Sequence, residues 1–226
     1  MSKIILLPGA LGYAGQFENL ISELDLLNCE AKAFDIPGHG LKPLSANTIP
    51  LMAEDFLGEL ESKGINEPVN IFGHSLGGYL GLYLCLNFPH RVNRLFTLGT
   101  KWSWTEALAN KETSMLNPEK MEQKIPAYVQ QLKSHHSNDW KDVVNLIVFL
   151  MHDLGQNQYL NPEKIKEISH EIRISLGDRD NMVSIEETVD EYRVLSKGQL
   201  QIYPNTLHPF QKVDVKKLAV DLNDFF

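Results

Sequence analysis

The chain has 226 residues, of which 43% are hydrophobic and 22% are charged. A chain of this length can bury one sizeable hydrophobic core, so we expect a single domain spanning residues 1–226. The formal net charge of −8 argues against a nucleic-acid partner, because binding to a phosphate backbone requires clustered lysine and arginine side chains.

The sequence contains no segment typical of membrane attachment. The first apolar run covers only residues 4–7, which is too short for the hydrophobic region of a signal peptide, and no apolar stretch reaches 18 residues. We therefore expect a cytoplasmic protein without a membrane partner, in which Cys29 and Cys85 are buried, reduced thiols.

A strand, a glycine-rich loop and a helix are predicted at the start of the chain. Residues 3–7 are almost wholly apolar, as expected for a buried strand of a parallel sheet, and the loop follows at 8–15. This arrangement could bind a dinucleotide, with Asp35 after the next predicted strand, 31–34, contacting the ribose. We reject that interpretation because the loop glycines are spaced three apart instead of in the G-x-G-x-x-G pattern.

The most informative segment is the pentapeptide Gly73-His74-Ser75-Leu76-Gly77, which lies between a predicted strand and a long apolar helix. A serine at the tip of so tight a turn brings neighbouring backbone into contact, and only glycine fits at the two flanking positions without a Cβ clash. The N–H of Leu76 begins the helix and points back toward whatever the serine attacks, with the positive end of the helix dipole behind it.

Residues 101–165 lack strand alternation and predict three helical stretches. Two Asn-Pro-Glu motifs, at 117–119 and 161–163, combine an N-cap, a proline at the first helical position and an acid in the first turn. Apolar residues between them recur at helical spacing: Trp140, Val144, Ile147, Val148 and Met151. The histidines of this segment lack metal-ligand partners and are expected at the surface: His135, His136 and His152.

The remaining elements bring further polar side chains to strand ends. Strands are predicted at 92–98, 171–176 and 199–203, and helices at 51–60, 184–195 and 215–226. Asp180 follows the second of these strands, and His208 follows the third, where Pro209 holds it out of a helical conformation. Ligands of open α/β sheets bind at the carboxyl ends of the strands, so Ser75, Asp180 and His208 are predicted to share one edge.

The sequence resembles the α/β-hydrolase superfamily in three motifs. Residues 73–77 are similar to its G-x-S-x-G nucleophile elbow, residues 35–40 to a D-x-P-G-H-G loop, and residues 177–183 to a G-x-x-D-x-x-V loop. The resemblance implies the α/β-hydrolase fold: a mostly parallel six-stranded sheet with helices on both faces and residues 101–165 inserted as a helical cap.

The resemblance also implies the site residues. The catalytic triad would be Ser75, Asp180 and His208, in the chain order of this fold, with Asp178 as the alternative acid. The alternative role of Asp178 is to cap its own turn. The backbone N–H groups of Ala10 and Leu76 would form the oxyanion hole.

A cap that closes over the nucleophile would form the substrate pocket. The candidate lining residues are Leu11, Trp102 and Met151, together with Trp104; the alternative is that such apolar residues only pack the cap onto the core. His39 is interpreted as a structural residue that holds its loop through its ring nitrogens, because it precedes Ser75 in the chain.

The function implied is hydrolysis of a small carboxylic ester or thioester through an acyl-enzyme on Ser75, without a metal or organic cofactor. One alternative is a C–C bond hydrolase or lyase that uses the same triad. Another is a non-catalytic protein that uses the cavity to bind a small molecule, since one fold hosts many functions.

Overall fold

The computed structural model describes residues 3–226, and six strands in this range form one fully parallel sheet. The strands are β1 (Ile4–Leu7), β2 (Ala31–Ala33), β3 (Val69–His74), β4 (Val92–Leu98), β5 (Glu171–Gly177) and β6 (Gly198–Tyr203). Their order across the sheet is β2-β1-β3-β4-β5-β6. The predicted fold class is confirmed, and every predicted strand is present.

Ten α-helices lie within residues 3–226 and cover both faces of the sheet. They are α1 (Glu18–Leu26), α2 (Ile49–Ser62), α3 (Leu76–Asn87), α4 (Glu106–Thr113), α5 (Pro118–Lys124), α6 (Pro126–His135), α7 (Trp140–Asn157), α8 (Pro162–Ile165), α9 (Ile185–Val194) and α10 (Val215–Phe225).

The two faces of β1 show how the core is divided. Ile4 and Leu6 belong to a cluster that includes the buried residues of α1 and α10, whereas Ile5 and Leu7 belong to the cluster built with α2 and α3. All four side chains are fully buried. Successive strand residues point to opposite faces, so a continuous apolar run is what a sheet covered on both sides requires.

Five helices, α4 to α8, lie between β4 and β5, so the prediction of three was wrong. The two predicted starts are present, because the side chains of Asn117 and Asn161 each accept a backbone N–H at 3.0 Å. The additional helices are α4, which Thr105 caps, and α6, which follows α5 after the single residue Ile125. A break of one residue interrupts the helical spacing too briefly to be seen as a boundary.

The two cysteines differ in their burial. Cys85 is buried and free, as predicted, but Cys29 is only partly buried because it lies in the turn between α1 and β2.

None of the helices in residues 3–226 combines the length and the apolarity needed to span a membrane.

Candidate active site

Ser75 occupies the tip of the turn between β3 and α3. Its backbone has φ 51° and ψ −114°, a strained conformation for a residue with a side chain. The turn is held by two bonds: the N–H of Ser75 donates to the carbonyl of Leu98 at 2.8 Å, and the Thr100 hydroxyl donates to the Ser75 carbonyl at 3.0 Å. Residues at the end of β4 and directly after it therefore hold Ser75 in this strained conformation.

The flanking glycines are explained by close backbone contacts. A Cβ at Gly73 would overlap the backbone of Gly77 and Gly78, on the far side of the turn. A Cβ at Gly77 would overlap the carbonyl of Leu7 in β1. The predicted crowding is confirmed at Gly73, while at Gly77 it comes from the neighbouring strand, which sequence alone does not identify.

Asp180 and His208 form a buried pair. His208 Nδ1 donates to Asp180 Oδ2 at 2.7 Å, and Asp180 Oδ1 accepts the N–H groups of Met182 and Val183 at 2.8 and 2.9 Å. Burial favours a higher pKa for Asp180, but these hydrogen bonds and the charge of His208 outweigh it and lower the pKa. The ionised Asp180 keeps the proton of His208 on Nδ1, which leaves Nε2 free to accept one.

Asp178, the alternative acid, lies outside this pair. It is exposed, and its Oδ1 accepts the N–H of Thr206 at 3.3 Å. Thr206 belongs to the loop that leads from β6 to His208. The side chain of Asp178 therefore caps the neighbouring loop rather than its own turn.

His74 is a site residue that the sequence analysis missed. Its Nε2 donates to the backbone carbonyl of His208 at 3.0 Å, and its ring lies 5.6 Å from that of Phe210. Burial, and next the nearby His208, lowers the pKa of His74 to about 3, so the ring stays neutral. The available sequence signal was its position directly before Ser75. In the structure, the His74 ring connects the end of β3 to the loop that contains His208.

The two candidate oxyanion donors come from the loop after β1 and from the start of α3. Leu76 is the first residue of α3, so its N–H is not used within the helix. Ala10 lies in the loop after β1, where the N–H of Gly12 donates to the Gly9 carbonyl at 3.0 Å. A Cβ at Gly9 would lie 3.0 Å from the Cβ of Ser75, which shows how closely this loop approaches the serine.

A cavity of about 780 Å³ opens above Ser75. Ala10, Leu76 and His208 line it together with Ser75, and so do Leu11 and Met151. Apolar residues of its outer wall come from α5, α6 and α7 and the loop before α5: Leu116, Met121, Leu132, Ile147, Leu150 and Leu154. The same helical segment adds the polar side chains of Lys111, Glu112, Gln131 and His135.

The placement of Trp102 in this cavity was wrong. Its side chain is fully buried and does not line the cavity, whereas Trp104, two residues later in the same core cluster, does. The chain leaves β4 without regular structure at this point, so the direction of each tryptophan depends on tertiary packing.

His136 was wrongly predicted to lie at the surface. It is 7% exposed, its Nδ1 accepts the N–H of Gly40 at 2.9 Å, and its Nε2 lies 3.3 Å from the Leu11 carbonyl. A neutral imidazole can be buried when both nitrogens have partners. His135 and His152 are partly exposed. Within residues 3–226, no group of three or more His, Cys, Asp or Glu side chains is arranged to bind a metal ion.

His39 has the structural role that was predicted. It is fully buried, its Nε2 accepts the N–H of Leu11 at 3.0 Å, and its Nδ1 lies 3.0 Å from the Pro37 carbonyl. Its ring nitrogens thus connect the loop after β2 to the loop that contains Ala10.

Comparison with known proteins gives one family match and one curated relative. The sequence model of the alpha/beta hydrolase fold family matches residues 3–136. A Haemophilus influenzae protein provisionally named 2-succinyl-6-hydroxy-2,4-cyclohexadiene-1-carboxylate synthase is 36% identical over 87 residues, or 38% of this chain. The alignment spans only 34% of that relative.

Solved structures share the architecture over nearly the whole chain. The enol-lactonase from Burkholderia xenovorans LB400 has a TM-score of 0.80 at 13% identity and covers 99% of this chain and 90% of its own. The meta-cleavage product hydrolase from Pseudomonas fluorescens IP01 has a TM-score of 0.76 at 17% identity, with 100% and 90% coverage. At these identities the similarity establishes the fold.

Proposed function

Because the chain belongs to the α/β-hydrolase family, we propose that it is a serine hydrolase that cleaves small carboxylic esters or thioesters through an acyl-enzyme on Ser75. The observation that carries the proposal is the cavity that Ser75 and His208 line together, with Asp180 bonded to Nδ1 of the histidine. A nucleophile, a base and an oriented acid are the parts that acyl transfer needs.

The first half-reaction acylates the serine. His208 Nε2 takes the Ser75 hydroxyl proton as Oγ bonds to the substrate carbonyl carbon, and Asp180 stabilises the imidazolium that forms. The tetrahedral intermediate then expels the alcohol or thiol, which leaves with the proton from His208. In the second half-reaction His208 deprotonates a water molecule that attacks the acyl-enzyme, and the carboxylic acid is released as Ser75 recovers its proton.

The oxyanion of each tetrahedral intermediate would be bound by the N–H groups of Ala10 and Leu76. Both residues line the cavity with Ser75, which supports this role, and α3 adds the positive end of its dipole behind Leu76. One donor of this kind contributes roughly 3 kcal/mol to transition-state stability.

The acyl group is proposed to be uncharged and aliphatic. The segment 101–165 would serve as the cap, since α5, α6 and α7 face Ser75 with leucine, isoleucine and methionine side chains. Two lysines, Lys101 and Lys111, also line the cavity, but Lys101 lies 3.4 Å from Glu187 and is already paired. An apolar wall favours a hydrocarbon chain, which gains about 0.8 kcal/mol per buried CH₂.

A C–C bond hydrolase or lyase is the alternative, favoured by the name of the Haemophilus influenzae relative. The compound in that name carries a succinyl group and a ring carboxylate, so it is anionic. Recognition of several carboxylates is usually performed by arginine forks. Among residues 3–226, no arginine lines the cavity, which favours the neutral ester as substrate.

Turnover of p-nitrophenyl esters from acetate to decanoate tests the proposal. We expect wild-type hydrolysis with a preference for chains longer than acetate, and a loss of kcat on the order of 10⁴-fold or more for Ser75→Ala. Ser22→Ala, an exposed serine of α1 that does not line the cavity, is the control and should retain activity.

Three results would count against the ester proposal. Ester turnover that survives Ser75→Ala would rule out an acyl-enzyme on Ser75. A wild-type protein that reacts covalently with a fluorophosphonate, cleaves no ester and cleaves a vinylogous diketone would favour the C–C bond hydrolase. If the wild-type protein reacts with none of the fluorophosphonate, the esters and the diketone, the non-catalytic binding function is preferred.

A further inference from the structure

The backbone of Leu11 is held from both sides by two histidine rings. The N–H of Leu11 donates to His39 Nε2 at 3.0 Å, and its carbonyl lies 3.3 Å from His136 Nε2. Leu11 itself has φ 60°, in the left-handed region that disfavours residues with a side chain. We define the His39–Leu11–His136 arrangement as the Leu11 clamp.

The hydrogen-bond partners determine which nitrogen of each ring carries the proton. His39 Nε2 accepts from Leu11, so its proton is on Nδ1 and is donated to the Pro37 carbonyl. His136 Nδ1 accepts from Gly40, so its proton is on Nε2 and is donated to the Leu11 carbonyl. Both backbone polar groups of Leu11 are therefore satisfied by neutral rings of fixed tautomer.

The two rings are buried and lie against each other. Their centroids are 5.7 Å apart and their planes are 84° apart, an edge-to-face contact. Burial lowers the pKa of His39 to about 4 and also lowers that of His136. Because neither ring is charged at neutral pH, the two histidines can share one site without repulsion.

His136 belongs to the helical segment 101–165, where it directly follows α6. The residues after it are attached to the same loop: Ser137 N–H donates to the Gly40 carbonyl at 2.7 Å, and the Asn138 amide donates to the carbonyls of Gly38 and Lys42 at 3.1 and 2.7 Å. This run of bonds fixes one side of the helical segment to the loop after β2.

The side chain of Leu11 makes the same connection through apolar contacts. It packs against a cluster that belongs to the helical segment: Met121, Val129, Leu132, Trp140 and Val144. The ring of His135 also stacks on Tyr13, with centroids 4.0 Å apart and planes 18° apart. Both the backbone and the side chains of the loop after β1 are therefore held by residues 121–144.

We propose that the Leu11 clamp makes the helical segment part of the oxyanion hole, with His136 as a positioning residue that orients the neighbouring N–H of Ala10. Leu11 follows Ala10 directly, so a change in the strained backbone of Leu11 would shift the adjoining Ala10 N–H from its proposed position facing Ser75. His136 contacts no reacting atom and acts only through the backbone. This inference rests on the proposed serine hydrolase function.

Two substitutions of His136 separate its hydrogen bonds. In His136→Gln, the amide nitrogen lies where imidazole Nε2 was, so it retains the donor to Leu11 and loses the acceptor for Gly40. In His136→Asn, the side-chain oxygen lies where Nδ1 was, so it retains the acceptor for Gly40 and loses the donor to Leu11. Only the asparagine variant opens the clamp.

We expect kcat on p-nitrophenyl butyrate to fall roughly 10- to 100-fold in His136→Asn, less than on deletion of an oxyanion donor, with KM changed by less than about twofold. His136→Gln should keep kcat within about threefold of wild type. His152→Asn is the matched control on α7, since His152 contacts Thr113 and does not line the cavity, and it should match wild type.

A second measurement does not depend on turnover. Hydrogen–deuterium exchange of the peptide that contains residues 9–15 should accelerate in His136→Asn and remain slow in His136→Gln, because the strained loop is released only in the first. If wild type reacts with neither esters nor a fluorophosphonate, the proposed function fails while this exchange comparison still tests the clamp.

The proposal is overturned if the asparagine and glutamine variants behave alike in kcat and in loop exchange. It is also overturned if His136→Asn raises KM with kcat unchanged, since that would make His136 a substrate-contacting residue. A selective loss of kcat in the asparagine variant, accompanied by faster loop exchange, supports it.

Discussion

The strand-end loops and the inserted helices build the cavity in different ways. The loops after β1, β3, β5 and β6 place polar groups through short hydrogen bonds, such as the 2.7 Å bond between His208 and Asp180. The helices α5, α6 and α7 contribute leucine, isoleucine and methionine side chains, which have no directional contacts. The strand-end loops fix the positions of the polar groups around Ser75, and the inserted helices define the volume of the cavity.

This difference predicts which substitutions are tolerated. Displacement of a hydrogen-bonded catalytic group by about 1 Å can cost 10²-fold in rate, whereas an apolar wall accepts changes of side-chain size with modest effects. The exception is the segment 135–138, where the helical insert is hydrogen-bonded to the loops as tightly as the loops are to each other.

The largest remaining effect is expected from Asp180→Asn in the loop region. Loss of the carboxylate removes the acceptor that keeps the His208 proton on Nδ1, so kcat for ester hydrolysis should fall on the order of 10³- to 10⁴-fold. Steady-state kinetics measure this. Asp178→Asn is the matched control, because its side chain contacts Thr206 and not His208, and it should change kcat by less than about threefold.

An intermediate effect is expected in the helical region from Met151→Ala. Removing this side chain enlarges the apolar end of the cavity, so kcat/KM for the decanoate ester relative to the acetate ester should rise roughly 10-fold, while acetate turnover changes little. Phe149→Ala, an exposed position on the same helix, should leave the ratio unchanged. If both variants changed the decanoate-to-acetate ratio equally, the cavity wall would not determine the chain-length preference.

The smallest effect is expected on stability, at Glu191 in α9. Both carboxylate oxygens are buried, and burial, followed by the charge of Glu187, raises the pKa of this group to about 10, although the backbone N–H groups of Trp102 and Ser103 act in the opposite direction. The folded protein therefore retains a proton that the unfolded chain releases above about pH 4.3, so stability declines as pH rises toward 10.

Glu191→Gln cannot ionise and should escape this decline. At about pH 8 its melting temperature should exceed that of wild type by about 5 °C, with a smaller difference at about pH 5, as measured by thermal unfolding. Glu186→Gln, an exposed carboxyl on the same helix, is the control. A pH-independent difference would show that Glu191 is not the group that titrates.

Much of the fold and of the candidate site could be predicted because both depend on local pattern. The continuous apolar runs identified the buried strands, and Ser75, Asp180 and His208 could be chosen because each lies in a loop after a strand and the chain resembles the α/β-hydrolase motifs there. The structure places Asp180 against His208 and both near the cavity above Ser75, while their catalytic roles remain a prediction. His74 was missed because its bond to His208 joins residues 134 positions apart.

The sequence by itself determined the sheet, the serine turn and the loops at its edge, because a strand, its apolar period and its closing glycine are encoded within a few residues. Tertiary contacts set what could not be predicted: Trp104 lines the cavity whereas Trp102, in the same core cluster, does not, and His136 is bound to Leu11 instead of lying at the surface. Those outcomes depend on contacts between distant segments, and side-chain direction in irregular chain is set by whichever partners the fold brings near.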